Sequence, residues 1–254
     1  MHRFYIAPET WNSVAPMLSG SEAHHAREVL RMKAGEKLVL FNGQGREITA
    51  EIVDLCGAEI RLRKLHEAET PPLQCRIVLG QAIPKGKNME LIVQKAVEIG
   101  AAEIAPIISD RTIVQVDSES ATQKQSKWRQ IAIEAAKQSG QNWLPRVHTP
   151  RKLAELFSLA SEESFDLRLI GSLQPDAQHL KKLLADYSRE YEGRPRSVLM
   201  LIGPEGDFTP AELSLARRYG CQPITLGPII LRVETAAIYC LSVLSYELLI
   251  DSGG

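Results

Sequence analysis

The sequence predicts an α/β protein in which a small β-rich domain precedes a larger domain with a mainly parallel sheet and helices on both faces. Three observations predict it. Hydrophobic residues recur at a period of two before Pro72, apolar strands alternate with helical segments after it, and two glycine-bearing turns near the carboxyl terminus each connect a strand to a helix. At 254 residues the chain is long enough for two domains, each with its own core.

The β-rich part is expected to span residues 1–72. Ile48, Ala50 and Ile52 alternate with polar residues, as in a half-buried strand, and the same alternation recurs over residues 59–63. Asn42-Gly43 is a hairpin turn signal. Residues 21–30 form the one predicted helix, and Thr70-Pro71-Pro72 marks a linker. Several short strands with one small helix predict a compact barrel.

The second part is expected to span residues 73–254. Its predicted strands are residues 76–79, 104–108, 167–170, 198–202 and 224–226, and predicted helices cover residues 88–100, 118–138 and 235–250. One further helix has clear boundaries: Thr209 caps it, Pro210 takes its first position, Glu212 completes a capping box, and Gly220 ends it.

The amino-acid composition excludes a disordered or collagen-like chain. Hydrophobic residues at 44% and charged residues at 24% are typical of a soluble globular protein, and a net charge of −1 does not indicate a nucleic-acid partner. The four cysteines lie far apart without a C-x-x-C spacing, so we expect reduced, buried thiols and no metal site. Residues 235–250 are too short for a membrane span of roughly 20 residues. Without a signal-peptide pattern, we expect a cytoplasmic protein.

The two turns carry the strongest functional signal. The first turn is Leu201-Ile202-Gly203-Pro204-Glu205-Gly206-Asp207-Phe208. The second turn is Leu226-Gly227-Pro228-Ile229-Ile230-Leu231-Arg232-Val233-Glu234-Thr235-Ala236. Open α/β sheets bind ligands at the carboxyl ends of their strands. Glycine suits such a site because it has no Cβ and tolerates positive φ. Neither turn fits the dinucleotide fingerprint or the P-loop. A single turn of this kind is more often an ordinary strand-to-helix connection.

The pair of turns resembles the signature of the RsmE-type 16S rRNA uridine-N3 methyltransferases, a family of the SPOUT superfamily. Other segments extend the resemblance over nearly the whole chain: residues 24–31, 85–100, 107–111, 128 and 134–140. It implies a knotted SPOUT domain after a PUA-like barrel, S-adenosylmethionine as cofactor, no metal, and a homodimer formed through the carboxyl-terminal domain. The implied RNA partner is 16S rRNA, within the small ribosomal subunit or a late precursor.

The resemblance also implies a cofactor site. We expect it to contain Gly171 and Ser172, which follow a predicted strand, together with residues of both turns: Ile202, Gly203, Pro204, Glu205, Gly206, Leu226, Gly227, Pro228 and Leu231.

The candidate catalytic residues are Arg232, Glu234 and Glu205. Methylation of uridine at N3 requires loss of the imide proton, and a guanidinium beside the carbonyl oxygens would stabilise the developing anion. Either carboxylate could accept the proton, and the sequence does not choose between them. A purely structural alternative is that Glu234 favours the amino terminus of the following helix while Arg232 pairs with it.

The candidate RNA-binding residues form two groups, Arg3, His24, His25, Arg27, Arg31 and Lys33 in the first domain and Lys85 and Lys87 in the second. The resemblance favours RNA as their partner, since phosphate contacts would position the substrate while a flipped base enters the catalytic pocket. The alternative is a solvated helix face.

Four positions depart from the family pattern. Asp207 stands where the family usually has glycine, Ile229 and Gln141 where it usually has arginine, and Val233 where threonine is common. The departures keep two other functions open: a SPOUT methyltransferase acting on a different RNA, and a catalytically silent RNA-binding factor for ribosome assembly.

Overall fold

A computed structural model describes residues 1–55, 57–112, 117–160 and 165–249 of the protein. The chain forms two compact units. The first comprises Met1–Pro72 together with Ile133–Leu144, and the second comprises Leu73–Ala132 together with the chain from Pro145 onward.

The first unit is built on five strands, β1 (His2–Tyr5), β2 (Met17–Leu18), β3 (Lys37–Phe41), β4 (Arg46–Asp54) and β5 (Ile60–Glu69). They form one sheet in the order β1-β3-β4-β5-β2. β1 runs parallel to β3, and the other pairs are antiparallel. Ile48, Ala50 and Ile52 belong to its core, as their alternation in the sequence predicts, and Leu38 and Leu40 of β3 join them there.

The predicted hairpin joins β3 and β4, through a loop of four residues, 42–45. Asn42 Oδ1 accepts hydrogen bonds from the backbone N–H groups of Gln44 (2.8 Å) and Arg46 (3.1 Å). Gly43 and Gly45 both have positive φ, at 73° and 91°. The loop therefore uses the asparagine to fix its turn and the glycines to close it.

The helix predicted over residues 21–30 has an irregular second half. α1 (Gly20–His24) continues directly as a π-helix (His25–Val29), in which the Leu30 N–H donates to the His25 carbonyl at 3.0 Å. A short 3₁₀ helix (Pro8–Thr10) precedes it. Arg31 ends the segment with φ 53°. A wider turn changes which side chains face the core, so periodicity of 3.6 residues does not predict their exposure.

The second unit confirms the predicted α/β class. Its strands are β6 (Arg76–Ala82), β7 (Glu103–Ile108), β8 (Arg146–Val147), β9 (Arg151–Lys152), β10 (Leu167–Gly171), β11 (Gln178–His179), β12 (Ser197–Ile202) and β13 (Gln222–Thr225). They form one sheet in the order β11-β13-β10-β12-β6-β7-β8, with β9 also paired to β7, and every pair is parallel. The helices are α2 (Asn88–Ile99), α3 (Ser118–Ser139), whose last residues belong to the first unit, α4 (Leu153–Ala160), α5 (Leu180–Tyr191), α6 (Pro210–Arg218) and α7 (Val233–Leu248).

Helices cover the central strands of this sheet. Val78 and Leu201 pack with Phe157 of α4 and Ala216 of α6. α7 packs against α2 and against strands β6 and β12. Alternate residues of the same strands serve the two layers, which is why these strands are continuously apolar in sequence.

Two helix boundaries follow from local chemistry. At α6, the Thr209 hydroxyl accepts from the Glu212 N–H (3.3 Å) while Glu212 Oε2 accepts from the Thr209 N–H (2.8 Å), which confirms the predicted capping box. α2 ends where Gly100 adopts φ 94°. The predicted Thr235–Ile250 helix begins two residues earlier, at Val233, and ends at Leu248.

The described cysteines are structural. Cys75, Cys221 and Cys240 are free thiols, and burial raises the pKa of each to about 12. They are therefore poor nucleophiles at neutral pH. Cys56 lies outside the described residues. Among the described helices, none has the length and apolar character needed to cross a bilayer.

Candidate functional site

A cavity of about 450 Å³ lies in the second unit at the carboxyl ends of β10, β12 and β13. These neighbouring strands each stop at the cavity wall, and the two turns and the start of α7 complete it. Its lining is Asn88, Gly171, Ser172, Leu173, Ile202, Gly203, Pro204, Glu205, Asp207, Leu226, Gly227, Ile229, Ile230, Leu231, Arg232, Val233, Glu234 and Ala236. The volume falls in the usual range for small-molecule sites.

The cavity brings together most of the residues proposed from the sequence. The three candidate catalytic residues, Arg232, Glu234 and Glu205, all line it, as do nine of the predicted cofactor-site positions: Gly171, Ser172, Ile202, Gly203, Pro204, Glu205, Leu226, Gly227 and Leu231. Gly206 and Pro228 belong to the same turns but are not part of the lining. Which lining residue contacts a cofactor and which contacts an acceptor stays a prediction.

Asn88 is a lining residue that the sequence did not indicate. It begins α2, and its side-chain amide donates to Glu234 Oε2 at 3.2 Å. The contact spans 146 positions along the chain. It arises because α2 and α7 pack together. No local pattern could have indicated it.

The first turn differs from the expectation about its glycines. Neither Gly203 nor Gly206 has a positive φ, and the left-handed residue of this turn is Asp207, with φ 61°. A Cβ at Gly203 would come within 3.2 Å of Asp207 Oδ1 and of the Phe208 nitrogen, both atoms of the same turn. A side chain at position 203 would therefore crowd the turn's own atoms, which is a different reason for glycine from access for a ligand.

The second turn does use the conformational freedom of glycine. Gly227 has φ 112°, and a Cβ there would meet no atom within 4 Å. Its backbone N–H donates to Thr225 Oγ1 at 3.3 Å. Beyond it, Ile229 and Ile230 are 74% and 77% exposed, so two large apolar side chains face solvent at the cavity.

The first turn and α6, the helix that follows it, are held from outside by the loop after β7. Glu212 is buried, and its carboxylate accepts from the Ser109 hydroxyl (3.2 Å) and from the Asp110 backbone N–H (3.1 Å). Arg111 donates to the Gly206 carbonyl. These contacts tie the turn to the loop after β7, so the cavity wall is supported by polar groups that do not themselves line it.

The charged lining residues have separate partners. Glu205 Oε1 accepts from the Lys85 backbone N–H at 2.9 Å, while Glu234 is bonded to the Asn88 amide. Arg232 is exposed and forms no ion pair with Glu234 or any other carboxylate of the described residues. The alternative in which Arg232 pairs with Glu234 is therefore wrong for this structure. Glu234 does lie in the first turn of α7, where a carboxylate is favourable.

The predicted RNA-binding residues of the first unit divide into exposed and embedded groups. His24, Arg31 and Lys33 are exposed. Arg3 is not: its guanidinium pairs with Glu47 (3.2 Å), bonds Asn142 Oδ1 (2.5 Å) and lies over the Phe41 ring.

The embedded group also includes His25 and Arg27. Both are partly buried, and Arg27 has two buried nitrogens without a hydrogen-bond partner. In the second unit, Lys85 and Lys87 are exposed, and Lys85 adjoins the cavity residue Glu205.

A parallel sheet with a ligand-sized cavity at the carboxyl ends of its strands defines the second unit as a ligand-binding domain of the open α/β class. The chain matches the model of an RNA methyltransferase domain over residues 71–245 and that of an RNA methyltransferase PUA domain over residues 18–59. The protein therefore belongs to this RNA methyltransferase family, which confirms the resemblance found in the sequence.

Several relatives are similar over nearly their whole length. Ribosomal RNA small subunit methyltransferase E of Bacillus subtilis is 30% identical over 233 residues, which cover 91% of this chain and 89% of the relative. The crystal structure of the enzyme of that name from Neisseria gonorrhoeae, bound to S-adenosylmethionine, superposes with a TM-score of 0.83 at 30% identity, covering 97% of this chain and 98% of the other. A methyltransferase structure from Legionella pneumophila, in complex with the same cofactor, gives a TM-score of 0.83 at 35% identity, covering 96% and 97%.

Proposed function

We propose that the protein transfers a methyl group from S-adenosylmethionine to N3 of a uridine in 16S ribosomal RNA. The observation that carries the proposal is the cavity at the ends of β10, β12 and β13, where both glycine turns and all three candidate catalytic residues meet. Relatives that are similar over most of the chain are named as small-subunit rRNA methyltransferases, and two solved structures contain the cofactor.

The cavity fits S-adenosylmethionine chemically. Ile202, Leu226 and Leu231 provide apolar wall for an adenine ring. The turns expose backbone groups close to the same wall, and Gly227 leaves open space where a side chain would stand. We assign to cofactor binding the predicted positions that line the cavity: Gly171, Ser172, Ile202, Gly203, Pro204, Glu205, Leu226, Gly227 and Leu231. Gly206 and Pro228 act by shaping those turns.

The catalytic task of the protein is to remove one proton and to stabilise one negative charge. Bound S-adenosylmethionine supplies an electrophilic methyl group, and the electrons of its carbon–sulfur bond stay with sulfur. Glu205 or Glu234 accepts the proton from uridine N3. Arg232, which forms no ion pair with a carboxylate in the described part of the chain, donates to the carbonyl oxygens of the uracil imide. The variants Glu205→Gln and Glu234→Gln distinguish the two candidate bases. Only the variant that lacks the base should show a steep loss of turnover rate at each pH tested.

RNA binding is assigned to exposed basic residues. We propose that Lys85 and Lys87 contact phosphates, and that His24, Arg31 and Lys33 in the domain of residues 1–72 form a second contact region, because all five are exposed. Arg3, His25 and Arg27 are better explained as structural residues.

The proposed substrate is 16S rRNA, in the small subunit or a late precursor. The proposed methyltransferase domain, residues 73–254, is a knotted SPOUT domain that forms a homodimer. A cytoplasmic location follows from this substrate.

Two measurements test the function. Calorimetry should detect binding of S-adenosylmethionine to the purified protein, and an absence of binding would favour the silent RNA-binding alternative. In a deletion strain, mass spectrometry of 16S rRNA should show loss of one 3-methyluridine, restored by the wild-type gene but not by Arg232→Ala. Unchanged 16S rRNA with a methyl group lost from another RNA would support the alternative substrate.

A further inference from the structure

Asp207 occupies an unusual position in the cavity wall. It is one of three non-glycine residues with positive φ among the described residues, at 61°. Its N–H donates to the Pro204 carbonyl at 2.9 Å, and its own Oδ1 accepts from the Phe208 N–H at 2.7 Å. Asp and Asn are the side chains that best tolerate this conformation, because they can bond locally to the backbone. Strained residues of this kind concentrate at functional sites.

The carboxylate of Asp207 has one oxygen to spare. Oδ1 is used by the turn, while the second oxygen has no hydrogen-bond partner within the described part of the chain. The residue lines the cavity and is half-buried. Glu205 and Glu234 also use one oxygen each, but their hydrogen bonds come from outside their own turns, whereas that of Asp207 comes from within its turn.

The charged groups of the lining are unbalanced. Among the described residues, the lining contains three carboxylates, Glu205, Asp207 and Glu234, and one guanidinium, that of Arg232. A cavity with excess negative charge favours a cationic ligand over a neutral one of the same shape. The methyl donor has a positively charged sulfonium, and its demethylated product, S-adenosylhomocysteine, has an uncharged thioether.

From this charge pattern we infer that Asp207 is a specificity-determining residue, whose carboxylate favours the sulfonium form of the cofactor over the product. The inference rests on the proposed function. It gives the site a means of exchanging ligands after each turnover, since the favourable interaction is lost when the sulfur becomes neutral. The turn retains a strained residue because the carboxylate contributes to binding of the donor.

Asp207→Asn tests the inference with minimal structural change. Asparagine keeps the Oδ1 acceptor and tolerates left-handed φ, but it removes the charge. Calorimetry of this variant should show the affinity for S-adenosylmethionine weakened by about fivefold, which is the effect expected of a partly exposed charge pair. The affinity for S-adenosylhomocysteine should change by less than about twofold. Raising the salt concentration should reduce the difference between wild type and variant.

The control is Asp186→Asn on α5, which removes a negative charge outside this cavity and should change neither affinity. If Asp207→Asn fails to fold, Asp207→Gly serves in its place, because glycine adopts the same φ freely. An equal loss for both ligands, or no loss, overturns the role assigned to Asp207 while the proposed function stands. If neither ligand binds the folded wild type, the proposed function itself fails.

Discussion

Replacement of Arg232 by alanine separates a catalytic from a structural role more clearly than any other change in the cavity. Arg232 is exposed, it has no ion pair among the described residues, and as the residue preceding α7 it makes no side-chain capping bond. Among the described residues, truncation therefore removes no side-chain hydrogen bond or ion pair that the structure shows. We expect the free energy of unfolding to change by at most about 0.5 kcal/mol, as at other unpaired surface sites.

The expected effect on catalysis is much larger. If the guanidinium stabilises charge that develops on the uracil carbonyls, its loss should lower the turnover rate by on the order of 10²- to 10³-fold, or about 2.7–4 kcal/mol of transition-state stabilisation. Cofactor affinity should stay nearly unchanged, because an interaction made only in the transition state does not contribute to ground-state binding. Arg232→Lys should recover little activity, since an ammonium cannot bond two acceptors in one plane.

Single-turnover methylation and a melting curve on the same preparation measure both quantities. Arg218→Ala is the control, because Arg218 is also an exposed arginine but lies at the carboxyl end of α6, outside the cavity. Near-normal turnover in Arg232→Ala would remove the residue from the catalytic machinery. A melting temperature lowered by several degrees, with activity reduced only in proportion to the unfolded fraction, would instead assign it a structural role.

The remaining predictions concern the turns, the cap and the assembly. Gly227→Ala should weaken S-adenosylmethionine binding by calorimetry with little change in far-UV circular dichroism, because alanine at φ 112° forces the turn to rearrange although a Cβ has open space there; unchanged affinity would remove this turn from the site. Thr209→Ala should lower stability by about 1 kcal/mol through loss of the capping box of α6, measured by urea unfolding, and an unchanged midpoint would contradict that role. Light scattering at micromolar concentration should report a dimer, since Tyr239 and Tyr246 of α7 are 48% and 71% exposed in the single chain; a monomer that still methylates RNA would refute the dimer.

The sequence predicted those parts of the fold that depend on neighbours along the chain. Strand alternation in residues 48–52, the Asn42-Gly43 hairpin and the capping box at Thr209 all depend on contacts within a few residues, and all three are confirmed. The π-helical turn at His25–Val29 was not predicted, because its widening depends on packing and not on a residue pattern.

The site was predictable where it is formed by the ends of strands. Both turns follow parallel strands, so their lining residues meet at one edge of the sheet. The sequence could not indicate that Asn88 belongs to the cavity, since its contact with Glu234 depends on how two helices far apart in the sequence pack. The sequence also could not show that Arg3 is a structural residue and not an RNA-binding one. Its partners Glu47 and Asn142 lie 44 and 139 positions away, and nothing near Arg3 in the sequence indicates them.

The grouping of Ile133–Leu144 with the first unit has a consequence for any attempt to isolate that unit. Asn142 bonds Arg3, Glu47 and the Thr70 hydroxyl, while the Trp143 indole donates to the Thr70 carbonyl at 2.9 Å. A polypeptide of residues 1–72 would lack Asn142 and Trp143, and with them all of these hydrogen bonds. Gene fusion or recombination that transferred this stretch alone would move an incomplete domain, so the two parts of the protein are expected to be inherited together, although each has its own sheet.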